Sequence, residues 1–587
     1  MQPEITFQTF LQGSSAGKYG EIMNGAKIVA TVGPASDTEG VILKLLRNGV
    51  STLRINTAHI DPGYIKKISE IVSKINAQEK SFMSVLVDLK GPELRTGEFQ
   101  GGQKIIEQGK AYTIGSGSCD IEVNYPDVMS GLSKGDDILL SDGRVRMSVV
   151  SSTGGKTTAK ALTSATIRDR SRINVPGKIL DLGVITERDR NFIDESISAD
   201  VDFFALSFVQ KKENVIELRR TLLGEKSSAH IVSKIETKSG LQNITGIARV
   251  SDWIMVARGD LGVELPLEEV TMAQKNIIVE SHKFGVPTIV ATQMLESMVN
   301  NSTPTRAEVS DITNAIMDNA DALMLSEETA IGKYPVEAAS YLNRVERYVE
   351  SKVKDFPEPV EFLGNNVAFS IARAAKMVSE SIAADGILVF TKTGSTARMI
   401  SAVRPHCTIY SAVTDRTLAR KLNLLKGVEP IMMPRDFEGT RSLNQVMDYV
   451  YQERTIKFGS RVVVTSGSPY FLFGGTTDMR VLTIGDYVGR GYATGRKVTG
   501  KYRADGTGEI TVSGEFSSDL LGRKGTKAII VMDRILADDI EVISKTGITV
   551  VQSARFVRDL KDNEEIMIDP GTGVIVSNSR SEEIPPE

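Results

Sequence analysis

One apolar segment of the sequence ends in residue types that could hold a metal ion. Residues 254–266 read IMVARGDLGVELP, so a run of strand length stops abruptly at Arg258, Gly259 and Asp260. Strands that are buried on both faces are usually apolar throughout. A cation and an anion at the strand end, with a glycine between them, therefore indicate a site rather than a core.

A second segment ends in a similar way. Residues 230–236 read HIVSKIE, in which Lys234 lies two residues before Glu236 and so faces the same side of a strand. If the two strands are neighbours, Glu236 and Asp260 can share one Mg²⁺ and leave its remaining positions to water and substrate oxygens. A lysine beside that ion suits a substrate that carries a phosphoryl group.

Further cations favour the same chemistry. Arg54 and Arg95 are of the type that binds phosphate through two hydrogen bonds. Phosphoryl transfer needs mainly positioning and positive charge at the equatorial oxygens. The sequence has no Walker-type loop, so a P-loop enzyme is excluded. In a competing interpretation Lys234 is the Schiff-base lysine of a barrel aldolase, but the neighbouring carboxylates would hold it protonated.

Short apolar runs carry these residues, with helix-patterned stretches between them. The runs are 26–33, 51–58, 84–91, 202–208, 230–236, 252–260, 287–293 and 322–329. Apart from a long gap after the third run, the spacing is that of β-α units, eight of which close a (β/α)8 TIM barrel. Catalytic residues of this fold lie at the C-terminal strand ends, which here carry Arg54, Asn56, Asp88, Lys90, Ser207, Lys234, Glu236, Arg258, Asp260, Thr292 and Glu328. Any one of them could simply meet water, but the whole set predicts an active site.

The other segments predict further domains around the barrel, which itself takes residues 1–97 and 175–350. Residues 98–174 alternate polar and apolar positions between Gly and Asp turns, which predicts a small inserted β-barrel that can act as a lid. Residues 351–484 predict an open α/β sandwich. Residues 485–587 form a last segment rich in β patterns and glycine. The predicted fold class is α/β.

The composition excludes several classes of protein. The 587 residues are 41% apolar and 25% charged, which is typical of a folded multidomain chain. A net charge of −4 gives no reason to expect nucleic acid or a membrane surface as a partner. Four histidines and two cysteines leave carboxylates as the ligands of any metal, which favours a hard ion. No run is long enough to span a membrane and the N-terminus lacks a secretion signal, so a cytoplasmic protein is expected.

One loop of the predicted α/β sandwich has the residue types of a phosphate site. It joins a strand to a helix start and consists of Thr391, Lys392, Thr393, Gly394, Ser395 and Thr396. Hydroxyls, a lysine and backbone N–H groups suit the phosphate of an activator. A capped helix has much the same residue types, so both interpretations stay open.

Several motifs of this chain closely resemble the pyruvate kinase family. They are KIVATVGPAS (27–36), LRINTAH (53–59), VDLKGPELRTG (87–97), SKIE (233–236), IMVARGDLGVELP (254–266), ATQMLESM (291–298) and PTRAE (304–308). The resemblance, which runs from about residue 24 to residue 484, implies the TIM barrel, its inserted lid and an effector domain. It also implies transfer of the phosphoryl group of phosphoenolpyruvate to ADP, giving pyruvate and ATP as in the last step of glycolysis, by an allosteric homotetramer.

The resemblance implies roles for the matching catalytic residues. Lys234 would neutralise the phosphoryl group in flight, and Arg54 would hold phosphoenolpyruvate. The Mg²⁺ ligands would be Glu236 and Asp260. The carboxylate and enolate of pyruvate would be bound by Thr292 and by the backbone of Gly259 and Asp260. Arg258 is expected to pair with a neighbouring carboxylate.

The resemblance also implies a nucleotide site, in which one residue departs from the family. Nucleotide contacts would come from Asn56, His59 and Arg95. Ser171 lies where the family usually has a nucleotide-contacting lysine, although Arg170 and Arg172 flank it.

The implied monovalent-cation site is less complete than in the family. Its positions are those of Asn56, Ala58, Asp88 and Leu89, where the family usually has Ser in place of Ala58 and Thr in place of Leu89. Alanine cannot be a side-chain ligand, whereas leucine still offers its backbone carbonyl. Glu93, usual in cation-dependent members, is present. A requirement for K⁺ therefore stays open.

The last segment resembles the swivelling phosphohistidine domain of phosphoenolpyruvate-utilising enzymes. The resemblance lies in RGYATGRKVTGK (490–501), ILADDIEVISKTGITVV (535–551) and EEIMIDPGTGVIV (564–576). No histidine follows His406, and Asp538 and Asp539 lie where the phosphohistidine is expected. A phosphate relay is excluded on this chemistry, which leaves a structural or regulatory module.

One function of another class remains as an alternative. A non-catalytic sensor could keep the fold and lose turnover. The intact set Lys234, Glu236, Asp260 and Thr292 argues against it.

Overall fold

The first part of the barrel contributes three strands and two helices. The computed structural model describes residues 25–180, 182–353, 356, 361–364, 366–435, 449–451, 456–466 and 478–578. Its first elements are β1 (Lys27–Val32), α1 (Glu39–Arg47), β2 (Val50–Asn56), α2 (Tyr64–Glu79) and β3 (Ser84–Leu89).

The inserted segment is all β. Its strands are β4 (Gln103–Ile106), β5 (Ala111–Gly115), β6 (Ile121–Glu122), β7 (Asp137–Leu140), β8 (Val145–Thr153), β9 (Lys156–Ala161), β10 (Ala165–Arg168) and β11 (Ile173–Asn174). Six of them form a sheet in the order β11, β7, β8, β9, β5, β6, while β4 pairs with β10. The expected closed small barrel is thus replaced by two open sheets in the described residues. The two end strands, β6 and β11, are two residues long and too short to close the ladder.

The second part of the barrel alternates helices and strands. Its elements are α3 (Glu187–Ser198), β12 (Phe203–Leu206), α4 (Lys212–Gly224), β13 (His230–Ile235), α5 (Lys238–Gln242), α6 (Ile244–Ala248), β14 (Trp253–Ala257), α7 (Arg258–Glu264), α8 (Leu267–His282), β15 (Thr288–Ala291), α9 (Arg306–Met317), β16 (Ala322–Leu325), α10 (Glu327–Ala330) and α11 (Pro335–Glu350). Capping boxes begin two of these helices. The hydroxyls of Thr186 and Thr305 accept from the third helical N–H, and the acidic side chain there accepts from the threonine N–H.

Eight parallel strands form a closed barrel. Around the ring the order is β1, β16, β15, β14, β13, β12, β3, β2. Each strand coincides with one of the apolar runs of the sequence, with β2 beginning one residue before its run, so the predicted barrel is confirmed. Phe203 and Trp253 meet edge to face, with ring centroids 6.3 Å apart, and both are buried. Because the interior is packed in this way, the rim is where a substrate can bind.

The α/β domain after the barrel holds a five-stranded sheet in the order β19, β18, β17, β20, β21. Its elements are α12 (Asn366–Ser381), β17 (Gly386–Phe390), α13 (Ser395–Ala402), β18 (Thr408–Val413), α14 (Arg416–Leu422), β19 (Val428–Met432), β20 (Arg461–Ser466) and β21 (Asp478–Thr483). Only β21 is antiparallel to its neighbour. The predicted α/β domain is confirmed.

Charged side chains are buried where this domain meets the barrel. Arg404 Nη1 lies 2.8 Å from Asp321 Oδ1, and Lys27 Nζ donates to Val428 O at 2.9 Å. Glu346 of α11 is fully buried, and neither of its carboxylate oxygens has a hydrogen-bond partner among the described residues. The positive charge of Lys426, in the α/β domain, acts on Glu346. Lys426 Nζ itself pairs with Glu350 Oε1 at 2.8 Å.

A last sheet of seven strands follows after a very short connection. Its elements are β22 (Asp486–Thr494), β23 (Val498–Lys501), β24 (Ile510–Ser513), β25 (Ala528–Val531), α15 (Ala537–Ser544), β26 (Thr549–Phe556), β27 (Glu565–Asp569) and β28 (Val574–Ser577), with the strand order β23, β27, β28, β22, β26, β25, β24. Ile484 and Gly485 alone join it to β21. Arg461 Nε of the α/β domain donates to the buried Asp569 Oδ2 at 2.8 Å, which ties the two sheets together. Among the described helices, none combines the length and hydropathy that crossing a membrane requires.

Candidate active site

Lys234 is the centre of a buried polar cluster at the C-terminal end of the barrel. Its side chain, on β13, is 11% exposed. Nζ lies 3.1 Å from Asp88 Oδ1 and 3.0 Å from Glu236 Oε1, and it donates to Ser207 Oγ at 2.8 Å. Burial lowers the pKa of the ammonium group, but the two carboxylates outweigh it and raise the pKa above its ordinary value. Lys234 is therefore charged and held in one position.

Glu236 and Asp260 form a pair of carboxylates beside this lysine. Glu236 follows β13, Asp260 lies in the first turn of α7 after β14, and β13 and β14 are neighbours. Burial and the charge of Asp260 raise the pKa of Glu236, although Lys234 acts against them. Burial acts on Asp260 in the same direction, yet the Arg172 guanidinium overcomes it and holds the pKa of Asp260 below its ordinary value.

The pair fits a divalent cation. The charge of such an ion would let both carboxylates be ionised together, which burial otherwise opposes. No set of three or more Asp, Glu, His or Cys residues within the described ranges could hold a metal. An ion at Glu236 and Asp260 would therefore take its other ligands from water and substrate, which suits Mg²⁺.

Thr292 lies opposite Gly259 in a backbone conformation that threonine rarely adopts. Its φ of 68° is in the left-handed region, where a β-branched side chain is strained. Such strain is concentrated at functional sites. Thr292 Oγ1 accepts from Gly259 N at 3.0 Å and donates to Ala291 O at 2.6 Å. The hydroxyl and the start of α7 are thus fixed against each other, as the predicted substrate cradle requires.

Arg54 extends this cluster on the other side of Asp88. Nε donates to Asp88 Oδ2 at 2.8 Å and Nη1 to Thr31 Oγ1 at 3.0 Å. Burial opposes ionisation of Asp88, but the charges of Lys234 and Arg54 hold its pKa below the ordinary value. One carboxylate therefore positions both of the cations that were predicted to bind substrate.

The oxygens predicted for a monovalent cation all have protein partners. Asn56 Oδ1 accepts from Ala58 N at 3.1 Å. Leu89 O accepts from Ser207 Oγ at 2.8 Å, while Asp88 is bound by Arg54 and Lys234. A cation here would have to share these oxygens with the present donors.

The residues predicted to contact a nucleotide line the barrel rim and the lid connection. His59 is exposed, in a short 3-10 turn after β2. Arg95 donates to Glu93 Oε2 from both Nε, at 3.0 Å, and Nη2, at 2.7 Å. Its Nη1 donates to Arg170 O at 2.8 Å. Arg95 is thus anchored between the barrel and the lid.

Two residues of the site had no predicted role. Ser207, at the end of β12, contacts both Lys234 and Leu89. Arg172, which precedes β11 of the lid, forms an ion pair with Asp260. The sequence placed Ser207 among the strand-end residues and Arg172 beside Ser171, but their contacts with Lys234 and with Asp260 are seen only in the structure.

Arg258 is buried and binds a carboxylate and the backbone of Thr292. It donates to Asp311 Oδ2 at 2.6 Å from Nη1 and to Thr292 O at 2.5 Å from Nη2. The expected pairing with a neighbouring carboxylate is therefore present.

The loop 391–396 leads from β17 into α13. Thr391 is buried, and its hydroxyl accepts from Gly394 N at 2.9 Å. Gly394 has φ 84°, and Thr393 Oγ1 donates to Ser395 Oγ at 3.1 Å. Lys392, Thr393 and Ser395 are exposed. Thr391 therefore shapes the loop, while the exposed side chains are those that a ligand could reach.

The fold and the convergent charges define a barrel enzyme suited to phosphoryl groups. The family model "Pyruvate kinase, barrel domain" matches residues 23–339, and "Pyruvate kinase, alpha/beta domain" matches residues 370–482. The chain belongs to the pyruvate kinase family. It is an enzyme that moves the phosphoryl group of phosphoenolpyruvate to ADP, as the sequence predicted.

Individual relatives agree with the family models. A pyruvate kinase of Thermoplasma acidophilum is 50% identical over 94% of this chain and 99% of its own length. One of Thermotoga maritima is 37% identical over 79% of this chain and 100% of its own. A crystal structure of a pyruvate kinase from Cryptosporidium parvum has 31% identity and a TM-score of 0.71, covering 78% of this chain and 96% of that one.

Proposed function

We propose that phosphoryl transfer takes place at the rim of the barrel around Lys234, with Arg54 and Thr292 as the other catalytic residues. The observation that carries this assignment is the fixed position of Lys234 Nζ, within 3.1 Å of Asp88 and beside the Glu236–Asp260 pair. A charge held in place before the reaction stabilises the transferring group without reorganisation. Lys234 supplies that charge to the equatorial oxygens of the phosphoryl group.

The groups around Thr292 orient the substrate. The Thr292 hydroxyl and the backbone of Gly259 and Asp260 bind the carboxylate and the enolate of pyruvate, and Arg54 binds phosphoenolpyruvate. The fixed contact between Thr292 and Gly259 supports this role, because it holds both binding groups at one spacing. Asp88 accepts hydrogen bonds from both Arg54 and Lys234, so these two cations are also held at a fixed spacing.

Glu236 and Asp260 are the proposed Mg²⁺ ligands. When bound, the ion adds positive charge at the phosphate oxygens. Asn56, His59 and Arg95 contact the nucleotide, and the anchoring of Arg95 by Glu93 supports a fixed cation at that place.

A coupled assay tests the assignment. Purified protein with phosphoenolpyruvate, ADP and Mg²⁺ should form pyruvate and ATP, and Mg²⁺ removal by a chelator should abolish turnover. A folded protein that binds these substrates without turnover would support the non-catalytic sensor instead.

A weakened dependence on K⁺ is part of the proposal. Ala58 removes one side-chain oxygen from the implied site, while Asn56, Asp88 and the carbonyl of Leu89 remain. We expect the parent to keep activity without K⁺ and Ala58→Ser to gain a stronger K⁺ response. Complete loss of parent activity without K⁺, restored by K⁺, would contradict this and show that the remaining oxygens suffice.

The loop 391–396 is the proposed site of a phosphorylated activator. Because Thr391 is buried, a negative charge is better introduced at the exposed Thr393. Thr393→Glu should lose activation by a sugar phosphate or nucleotide, since like charges repel. The neutral Thr393→Gln is the matched control. If Thr393→Glu responds as the parent does, the loop is only a helix cap.

The remaining assignments concern the whole chain. The domains run 1–97 with 175–350, 98–174, 351–484 and 485–587, and the chain acts as a cytoplasmic homotetramer. The last domain resembles the swivelling domain without its histidine. In support of that boundary, the second family model ends at residue 482. Light scattering on the purified protein tests the tetramer.

A further inference from the structure

Arg172 crosses from the lid to the barrel. It directly precedes β11, which pairs with β7 of the lid, and its backbone bridges that of Arg95. Its guanidinium group forms the ion pair with Asp260, lies 4.8 Å from the ring centroid of Phe208 and reaches within 4.0 Å of Glu93. A cation of the lid is thus seated on a proposed metal ligand of the barrel.

The contacts of Arg172 leave part of its guanidinium group without a hydrogen bond. Nη2 is buried and has no hydrogen-bond partner within the described ranges, which is costly for a charged donor. The side chain also lines a cavity of about 40 Å³ together with Glu93, Phe208 and Thr237. That volume holds water but no nucleotide. An oxygen-rich anion that came closer would give Nη2 the acceptor that it lacks.

Arg172 and a divalent cation compete for Asp260. A divalent cation bound to Asp260 would draw on the same negative charge that pairs with Arg172, which would weaken the ion pair. Among the described residues, the other carboxylate within 4.0 Å of Arg172 is that of Glu93, which already binds Arg95. If Arg172 were released from Asp260, its guanidinium group would need another anion as a partner.

We propose that Arg172 is a lid-borne counter-ion, which neutralises Asp260 before the metal binds and then binds a phosphate of the nucleotide. This inference rests on the proposed function, because it requires Asp260 as a metal ligand. It gives Arg172 the phosphate contact that Ser171 cannot provide. It also couples the two ligands, since metal at Asp260 releases the cation that the nucleotide needs.

The first test measures metal affinity without turnover. Mn²⁺ titrated into the substrate-free protein, with the unbound ion followed by electron paramagnetic resonance, reports the site directly. Arg172→Met should bind Mn²⁺ about tenfold more tightly, because the competing charged hydrogen bond is gone. The control is Arg170→Met, whose parent side chain pairs with the exposed Glu98, and its affinity should be unchanged. Unchanged or weaker binding in Arg172→Met overturns the proposal.

The second test separates nucleotide from substrate. Arg172→Met should raise the KM for ADP about tenfold while the KM for phosphoenolpyruvate stays within about twofold, and Arg172→Lys should recover part of the ADP effect. An unchanged KM for ADP overturns the phosphate contact.

A third variant distinguishes this inference from the proposed function. If Asp260→Asn binds Mn²⁺ as the parent does, the metal assignment itself is wrong. If Asp260→Asn loses Mn²⁺ while Arg172→Met binds it as the parent does, only the role of Arg172 is wrong.

Discussion

Burial alone would lower the pKa of Lys234, yet Asp88 and Glu236 raise it above the ordinary value. All three donors of the ammonium group have an oxygen within 3.1 Å. A Schiff base requires a neutral amine, so these neighbours argue against the aldolase alternative. The residue is suited to act through its charge alone.

Lys234→Met tests that charge. We expect turnover to fall by about 10²–10³, as for other fixed groups that stabilise a transition state. The matched control is Ser207→Ala, which removes one contact of Nζ but keeps the charge and should cost far less. Steady-state kinetics on folded protein, checked by circular dichroism, measures both. Near-normal turnover of Lys234→Met would refute its role.

The sequence predicted some site residues from local patterns and others from the family resemblance. Lys234, Glu236 and Asp260 could be found because parallel strands of a barrel bring their C-terminal ends together. The contact of Arg172 with Asp260 could not be predicted, since it depends on how the lid is oriented. The strained backbone of Thr292 was equally invisible, because it results from tertiary contacts around a polar residue.

At the scale of elements, the junction of α11 with the α/β domain holds an unusual carboxyl group. Burial, reinforced by the charge of Glu350, raises the pKa of Glu346 to about 8, although Lys426 and Lys27 act against this shift. A neutral carboxylic acid is therefore the form that this interface favours. The β-α spacing of the sequence gave no sign of the partner domain that covers Glu346.

This carboxyl group makes stability depend on pH. Since the folded pKa of about 8 lies above the ordinary value of 4.5, the stabilisation is complete below pH 4.5 and is lost as the pH rises through 8. Glu346→Gln, which mimics the neutral acid, should reduce the loss of Tm between about pH 5 and about pH 9. Glu337→Gln, at an exposed position of the same helix, is the control. Equal pH dependence in parent and Glu346→Gln would contradict the buried neutral acid.

The strands of the lid could be predicted from the sequence, but the way they pair could not. Alternation predicted its β content correctly, because each strand has one face on a small core that includes Ile114 and Met147. Closure of the ladder depends on pairing between distant segments, and the two-residue strands β6 and β11 do not provide it. Local patterns therefore identified the strands but not the arrangement of the sheet.

At the scale of the whole molecule, the last seven-stranded sheet lies outside the residues that the two family models match. The alignment with the pyruvate kinase of Thermotoga maritima covers 100% of that protein but 79% of this chain, so about a fifth of this chain has no counterpart there. The proposed catalytic and metal-binding residues lie in the barrel, and Arg172 lies on the lid. The buried Asp569 binds Arg461 and accepts from Thr483 Oγ1 at 3.1 Å, which fixes the domain on the α/β sheet.

Deletion of residues 486–587 should leave the catalytic constants within a few-fold. We expect a lower Tm, a changed oligomer or an altered activator response, because Arg461 loses its buried partner. Asp569→Asn is the control that keeps the domain and weakens its attachment. Calorimetry, light scattering and the coupled assay compare the three proteins. Loss of catalysis in a truncated protein that stays folded and assembled would contradict this division.

The lid is inserted between two strands that pair with each other, and this has a consequence for how the chain folds. Leu86 of β3 lies in register with Phe203 of β12, although the entire lid separates them along the chain. Closing so long a loop costs entropy and slows barrel formation. Because the lid has its own apolar core, it can fold first and bring both ends of the loop together. On a growing chain the barrel stays open until β16 has left the ribosome and paired with β1, so the finished lid would precede the finished barrel.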